Sequence, residues 1–198
     1  MYKRQGEGNY QVSLRQPPLF VSCSTIRKLK RLDVIIDALA QLNEQGYDFK
    51  WVHIGDGPDA QKIEAMAKEK LKPSQYELIG RLPNKDVRKW YHEHNPTLFL
   101  NTSESEGVPV SVMEAMANAI PVVASDVGGT AEIVQTDVNG TLISDALKPE
   151  EAARAIEYFI NLSDEAYQGY AKGAYQTWQT LCDSESLYTE FAHELAQP

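Results

Sequence analysis

Short apolar runs alternate with amphipathic helical patterns from residue 19 to residue 160, and few folds accommodate such an alternation. The strand-length runs lie at residues 19–24, 51–54, 76–79, 97–100, 121–124 and 140–143. Strands separated by helices pair in parallel, and right-handed crossovers place the helices on both faces of the sheet. The pattern therefore predicts an α/β fold, a Rossmann-like doubly wound parallel sheet of about six strands.

The segments on either side of this pattern differ from it. Residues 1–18 are polar and have no sustained periodicity, which indicates a linker or a segment that leads into the domain. Residues 19–160 form the predicted Rossmann-like domain. Helical patterns over residues 163–180 and 184–196 predict extra C-terminal helices, and we expect residues 161–198 to pack on the same domain.

The charge of the chain limits its partners. The formal net charge of −9 argues against nucleic acid or an anionic membrane as the main partner, because both are polyanions. No apolar run approaches the roughly 20 residues that cross a bilayer, and the N-terminus lacks the apolar core of a signal peptide. We therefore expect a cytoplasmic protein without a transmembrane segment. Cys23 and Cys182 have no metal-ligand spacing, and we expect neither a metal ion nor another cofactor.

A loop that turns into a helix occupies residues 102–118. Pro109 suits the first helical position, so we predict a helix from Pro109 to about Asn118. At 100° per residue, Ser111, Glu114 and Asn118 share one polar stripe on an otherwise apolar helix. A buried Glu114 carboxylate needs hydrogen-bond partners, and hydroxyls of a sugar or ribose would serve. The alternative is a structural glutamate that bonds to a neighbouring loop.

The start of this helix is suited to an anion. The N–H groups of Val110, Ser111 and Val112 have no intrahelical acceptor and form a partly positive end that phosphate oxygens can occupy. Glu106 lies in the loop eight residues before Glu114. Taken alone, Glu106 can equally be a solvated loop acid.

A cluster of cations follows the first predicted strand. Residues 25–31 contain Arg27, Lys28, Lys30 and Arg31. Ligands of open parallel sheets bind beyond the carboxyl ends of the strands, so this loop can hold a diphosphate. Cations at a helix N-terminus oppose the helix dipole, which favours a nearby anion. The alternative is a solvated helix start.

The loop and helix resemble the Glu-seven residues-Glu motif of retaining nucleotide-sugar glycosyltransferases, the group 1 transferases of family 4 with the GT-B fold. The matching positions are Ser103, Glu106, Gly107, Glu114, Ala115, Met116 and Ala117. The family continues with a Pro-Val-Val-Ala strand and a Gly-Gly-x-x-Glu turn. These stand here at residues 121–124 and at Gly128, Gly129 and Glu132.

The resemblance implies the C-terminal, donor-binding half of a GT-B enzyme, whose N-terminal acceptor-binding domain would be supplied in cis or in trans. The assembled enzyme would transfer a sugar, with retention, from a nucleoside diphosphate sugar such as a UDP-sugar to a hydroxyl acceptor. Polysaccharide or glycoconjugate synthesis is the expected role. The isolated chain is expected to be inactive, and attachment to a membrane surface through the missing domain stays open.

The resemblance also implies roles for single residues. Glu106 would be catalytic and face the donor sugar, and Glu114 would take the ribose hydroxyls. The diphosphate would be held by Lys30 together with the segment Gly107, Val108, Pro109, Val110 and Ser111.

Two further loops take their expected roles from the family. The Gly-Arg pair of the family's diphosphate loop is Ser24-Thr25 here, so Thr25 supplies a hydroxyl but no charge, and Arg27 or Arg31 would compensate. Arg81 and Leu82, after the third strand, would lie against the nucleotide base.

Other readings share parts of this pattern. A nucleotide-sugar epimerase can have the same architecture, although the Glu-Ala-Met-Ala sequence favours transfer. A catalytically silent module would bind a nucleotide sugar without turnover. A receiver-type signalling domain would need an acidic cluster after the first strand, which this sequence lacks. The donor base, the sugar and the acceptor stay open.

Overall fold

A computed structural model describes residues 16–182, which contain six strands and seven α-helices. The strands are β1 (Leu19–Cys23), β2 (Lys50–Ile54), β3 (Tyr76–Leu78), β4 (Leu98–Asn101), β5 (Val122–Ser125) and β6 (Gly140–Ile143). The helices are α1 (Leu32–Glu44), α2 (Ala60–Lys70), α3 (Asn84–His94), α4 (Val110–Met116), α5 (Thr130–Ile133), α6 (Pro149–Ile160) and α7 (Asp164–Thr177). A 3-10 turn, Lys28–Lys30, precedes α1, and a π-helical segment, Trp178–Cys182, continues α7.

All six strands are parallel, in the order β3-β2-β1-β4-β5-β6. Strand β1 lies in the middle of the sheet. Strands β2 and β3 extend the sheet on one side of β1, and β4, β5 and β6 extend it on the other side. The crossovers therefore leave β1 and β4 in opposite directions, which opens a crevice at the carboxyl ends of these two strands. The predicted doubly wound fold class is confirmed.

The core lies on both faces of the sheet because successive strand residues point to opposite sides. In β1, Phe20 packs in one cluster with Ile36 of α1 and Phe159 of α6. Its neighbour Val21 packs in the other cluster with Tyr91 of α3 and Val112 of α4. Burial on both faces explains why the strands are continuous apolar runs rather than alternating ones.

Helix α4 is shorter than the predicted helix. Pro109 is its N-cap rather than its first helical residue, because its backbone is extended (φ −74°, ψ 110°) and its carbonyl accepts the N–H of Val112 at 3.0 Å. The helix ends at Met116, two residues before Asn118. Beyond Met116, backbone N–H groups donate to carbonyls three residues earlier, for example from Asn118 to Ala115 at 2.9 Å.

Helix α7 covers part of the predicted C-terminal region. It begins after Ser163, whose hydroxyl accepts the N–H of Ala166 at 3.2 Å, and it packs on α4. The buried Tyr167 hydroxyl donates to the carbonyl of Thr97 at 2.9 Å. The predicted helix over residues 184–196 and residues 1–15 of the predicted linker lie outside the described residues. Within residues 16–182 no helix combines the length and apolarity that a bilayer crossing requires.

Candidate functional site

The crevice at the carboxyl ends of β1 and β4 is a small cleft of about 230 Å³ that opens to solvent. Its polar lining includes Ser24, Lys30, Asn101, Ser103, Glu106 and Ser111. Three of the predicted site residues, Lys30, Glu106 and Ser111, thus come together here, although Lys30 lies 76 residues before Glu106.

Lys30 and Glu106 form an ion pair inside the crevice. The Lys30 ammonium donates to Glu106 Oε1 at 2.7 Å, and the two side chains are 24% and 13% exposed. The amide of Asn101 approaches the same oxygen at 3.3 Å. Burial raises the pKa of Glu106, but hydrogen bonds, chiefly from Lys30, outweigh it and hold the pKa below its ordinary value. Glu106 is therefore ionised at neutral pH.

The backbone holds the two partners of this ion pair in place. The Thr102 hydroxyl donates to the carbonyl of Arg31 at 2.8 Å, and the N–H of Glu104 donates to the carbonyl of Leu29 at 2.8 Å. Arg31 also bonds the Glu104 carboxylate at 2.9 Å. The loop after β1 and the loop after β4 are consequently one connected unit.

The Gly-Gly turn after β5 packs directly against the backbone of the Glu106 loop. A Cβ atom at Gly128, which has a φ of +54°, would lie 1.8 Å from the carbonyl oxygen of Glu106. The N–H of Gly129 donates to the carbonyl of Gly107 at 3.0 Å. The structure thus gives a physical reason for this turn, which sequence analysis found only through the family resemblance.

Glu114 lies one helical turn beyond Ser111 and is buried, with 8% of its surface exposed. Burial raises the pKa of this carboxyl group, and the nearby Arg88 guanidinium partly opposes the rise. Arg88 Nε lies 3.9 Å from the carboxylate, and the Arg88 side chain is 65% exposed. An exposed cation at this distance stabilises a carboxylate weakly. The predicted buried carboxylate is present, and it has little protein compensation.

The cations of the basic loop differ in exposure and pairing. Thr25 is exposed beside Ser24 at the edge of the crevice. Arg31 is held by the carboxylates of Asp33 and Glu104, at 3.0 and 2.9 Å. Arg31 is thus paired with two carboxylates, whereas Arg27 is exposed, and compensation by either of them stays a prediction.

Arg81 and Leu82 lie farther away, after the edge strand β3. Their loop is tied to the next one, since the N–H of Gly55 donates to the carbonyl of Gly80 at 2.8 Å. A Cβ atom at Gly55 would in turn lie 1.8 Å from the carbonyl oxygen of Ser24. The three loops are in contact, but Arg81 is exposed, Leu82 is half-buried, and neither lines the crevice.

Sequence analysis missed the role of Asn101 in the crevice and named Ser103 only as a motif position. Asn101 Oδ1 accepts the Ser103 hydroxyl at 2.7 Å and the Ser103 N–H at 3.1 Å, which aims its amide at Glu106. The Ser103 carbonyl accepts the Ser125 hydroxyl at 2.6 Å. The available signal was an asparagine at the end of a buried strand, since β4 extends one residue beyond the predicted run.

Comparison with known proteins identifies the family. The pattern of the glycosyl transferases group 1 family matches residues 10–177. The chain belongs to this family. Among its relatives are the amylovoran biosynthesis glycosyltransferase AmsK of Erwinia amylovora, 33% identical over 73% of the chain and 35% of AmsK, and the O-antigen biosynthesis glycosyltransferase WbnH of Escherichia coli, 30% identical over 62% of the chain and 32% of WbnH. The group 1 chain thus spans about a third of the length of these relatives.

Solved structures share its fold. Anabaena HepE, crystallised with UDP-glucose, superposes with a TM-score of 0.76 at 23% identity, over 90% of this chain and 48% of HepE. The sucrose-phosphate synthase of Thermosynechococcus elongatus gives a TM-score of 0.78 at 19% identity, over 90% of this chain and 44% of the synthase. The group 1 chain therefore has the Rossmann-like architecture of one half of a GT-B fold.

Proposed function

We propose that this chain is the donor-binding half of a retaining glycosyltransferase that moves a sugar from a nucleoside diphosphate sugar to a hydroxyl acceptor. The Lys30–Glu106 ion pair at the carboxyl ends of β1 and β4 is the observation that carries the proposal. It joins a cation for phosphate to a carboxylate that suits a positive sugar centre. Polysaccharide or glycoconjugate synthesis is the proposed role, supported by the named roles of AmsK and WbnH.

The leaving diphosphate is held by Lys30 and by backbone N–H groups of the segment from Gly107 to Ser111. The N–H groups of Val110 and Ser111 begin α4 and have no intrahelical acceptor. A cation and oriented amides stabilise the negative charge that develops on the leaving group, and this arrangement requires no metal ion. Binding of the diphosphate by Lys30 draws the ammonium away from Glu106.

The two glutamates act at different parts of the donor. Glu106, ionised in the crevice, faces the donor sugar and stabilises the positive charge that develops at the anomeric carbon. Glu114, buried and weakly compensated, accepts hydrogen bonds from the ribose hydroxyls. Loss of Glu106 therefore reduces the rate more than donor affinity, and loss of Glu114 reduces affinity first.

A second domain completes the site in this proposal. The cleft opens to solvent, so this domain alone does not enclose a ligand. Large apolar side chains next to its lining residues are exposed, namely Leu29, Val108 and Val110. Closure by an acceptor-binding domain, in cis or in trans, would enlarge the site and cover these side chains. The isolated chain is inactive for this reason.

The proposal is tested by calorimetric titration of the chain with UDP and GDP. One nucleotide is expected to saturate the chain, and Glu114→Ala to weaken its binding about tenfold or more, as expected for lost hydrogen bonds to a charged group. Glu64→Ala, an exposed glutamate of α2, is the matched control and leaves binding unchanged. Failure of both nucleotides to bind, alone and in a chain carrying the acceptor-binding domain, would contradict the proposal.

A catalytically silent donor-binding module is the second candidate, because Thr25 brings no charge to the diphosphate and Arg31 is occupied by carboxylates. Such a module binds nucleotide but transfers no sugar. Sugar transfer measured with the complete two-domain protein distinguishes the two, since the silent module gives none with any acceptor.

A further inference from the structure

The side chain of Asn101, at the carboxyl end of β4, is held in one orientation. Its oxygen Oδ1 accepts the Ser103 N–H at 3.1 Å and the Ser103 hydroxyl at 2.7 Å. The Ser103 carbonyl in turn accepts the hydroxyl of Ser125, at the end of β5, at 2.6 Å, and all three residues are buried. Because a backbone N–H can only donate, the oxygen of the amide faces Ser103 and its nitrogen faces Glu106 Oε1, at 3.3 Å.

The turn after β4 needs only the oxygen of the Asn101 side chain. A side-chain acceptor bonded to the N–H two residues later is an Asx turn, which aspartate also forms and which serine forms more weakly. An aspartate in this place would set a second carboxylate beside Glu106, whereas the asparagine amide donates to it. The amide nitrogen therefore has a use apart from the turn, on a side chain that lines the crevice.

Asn101 and Lys30 donate to the same carboxylate oxygen, but only one of them is free to leave it. Lys30 Nζ lies 2.7 Å from Glu106 Oε1, at the end of a flexible side chain that is 24% exposed. In the proposed function this ammonium binds the diphosphate, so donor binding withdraws it from Glu106. The Asn101 amide belongs to a residue that is 8% exposed and is held by Ser103. It is thus the donor that stays with the carboxylate.

We propose that Asn101 is a positioning residue, whose amide keeps the Glu106 carboxylate in place after Lys30 has turned to the diphosphate. This inference rests on the proposed function. A partly buried carboxylate that loses its donors takes up a proton more readily, and nothing fixes its direction. Either change would weaken the negative charge that the proposed function places opposite the sugar. A hydrogen bond from Asn101 opposes both changes, because it favours the ionised form and fixes one of its oxygens.

Asn101→Ser tests the contact through the titration of Glu106, measured by nuclear magnetic resonance of the carboxyl carbon. Serine keeps an acceptor for the turn, but its hydroxyl is too short to reach Glu106. The pKa of Glu106 is expected to rise, because a donor to the ionised form is lost. The rise should be larger in a Lys30→Met background, where the amide has to act without the ammonium. Asn101→Ala provides the same test if the serine variant does not fold.

The other groups that act on Glu106 are kept constant in this comparison. The charged group is Lys30, from the loop after β1, and the uncharged donors Ser103 and Asn101 come from the end of β4. Since Ser103 also lowers the pKa of Glu106, Asn101→Ser is repeated in a Ser103→Ala background. A rise that persists there comes from the amide itself.

Asn139→Ser is the matched control. Asn139 is fully buried, and it too accepts a backbone N–H, that of Gln135, at 2.8 Å. Its amide donates to the carbonyl of Ile133 at 2.9 Å, and the residue does not line the crevice. The variant should lower the melting temperature, because it removes buried hydrogen bonds, and it should leave the Glu106 titration unchanged.

Titration in the presence of UDP tests the exchange of donors, with GDP in its place if calorimetry shows that GDP is the nucleotide that binds. The nucleotide should raise the pKa of Glu106 in the unmodified chain, because Lys30 leaves the carboxylate. Asn101→Ser should raise that pKa by more with the nucleotide bound than without it, since the amide is then the remaining partner of Oε1.

Each contrary outcome overturns the inference. An unchanged Glu106 titration in Asn101→Ser would mean that Asn101 serves the turn alone. A nucleotide that binds without changing the pKa of Glu106, or an effect of Asn101→Ser that is no larger in its presence, would exclude the exchange of donors and leave nucleotide binding intact. If neither this chain nor a chain that carries the acceptor-binding domain bound UDP or GDP, the proposed function would fail, and the inference with it.

Discussion

The two faces of the sheet bury polar side chains in different ways. On the face covered by α1 and α6, the Trp51 indole donates to the Ser22 hydroxyl at 3.0 Å, and that hydroxyl lies 2.8 Å from His53 Nδ1. His53 Nε2 lies 3.2 Å from the carbonyl of Ser24. A consistent assignment has Ser22 donating to Nδ1 and His53 donating to Ser24, so every member is paired.

On the opposite face, under α3 and α4, the buried polar side chains are poorly paired. Glu114 lies 3.9 Å from the exposed Arg88 guanidinium, and the Tyr91 hydroxyl is left with the Cys23 thiol, a weak hydrogen-bond acceptor. A fully paired buried network rigidifies a fold, whereas unpaired buried groups reduce its stability. The contrast separates the His53 network, which serves the structure, from the Glu114 carboxylate, to which the proposed function assigns a ligand.

Replacing His53 should have the largest effect on stability. His53→Ala leaves a cavity in the core and removes partners from Ser22 and Ser24, so the free energy of unfolding should fall by about 3–4 kcal/mol. Urea denaturation measures the change, and His92→Ala, at an exposed position of α3, provides the control. A loss below about 1 kcal/mol would break the comparison, since it would mean that the paired network contributes little.

The same network predicts how stability depends on pH. Burial lowers the pKa of His53 from 6.5 to about 4, so the folded protein keeps the imidazole neutral where the unfolded chain protonates it. Stability should therefore fall as the pH drops from about 6.5 to 4, by up to about 3 kcal/mol from this group. His53→Gln should remove that part of the pH dependence. Urea denaturation of both chains at several pH values measures this. A difference in the free energy of unfolding that stayed constant across the range would contradict the assignment.

Removing the Lys30 ammonium should lower stability less than His53→Ala does, and it should change the titration of Glu106 in the crevice. Lys30→Met leaves the partly buried Glu106 without its cation, so the free energy of unfolding should fall by about 1–2 kcal/mol. The pKa of Glu106 should rise, because the Lys30 hydrogen bond is the main cause that lowers it against the effect of burial. Carboxyl titration by nuclear magnetic resonance measures the rise. Lys28→Met, in the same turn but exposed, should leave the Glu106 titration unchanged.

Glu114→Gln should have the smallest effect on stability. Because burial raises the pKa of Glu114, the ionised carboxylate is less stable folded than unfolded, and an amide relieves this at neutral pH. We expect a gain of about 0.5–1 kcal/mol that disappears at acid pH, where the carboxyl group is protonated. Thermal unfolding at both pH values measures it. A loss as large as that of His53→Ala would make the two faces alike.

Several features of the fold and crevice could be predicted from local sequence. The polar stripe of Ser111 and Glu114 predicted a buried carboxylate, because helical periodicity determines which residues share a face. The end of the same helix was misjudged by two residues, because the hydrogen bonds that close it depend on the turn beyond Met116. The role of Asn101 was missed, because an amide's target depends on a loop folded back over it.

Tertiary structure alone brought the crevice together. The sequence by itself determined the alternation of strands and helices, the family, and the position of Lys30 and Glu106 just after two strands, because backbone periodicity and short motifs are local. It did not determine that these two strands are neighbours. Strand order and the reversal between β1 and β4 place Lys30 Nζ 2.7 Å from Glu106. Such pairing arises from hydrogen bonds and packing between distant segments, which no local pattern encodes.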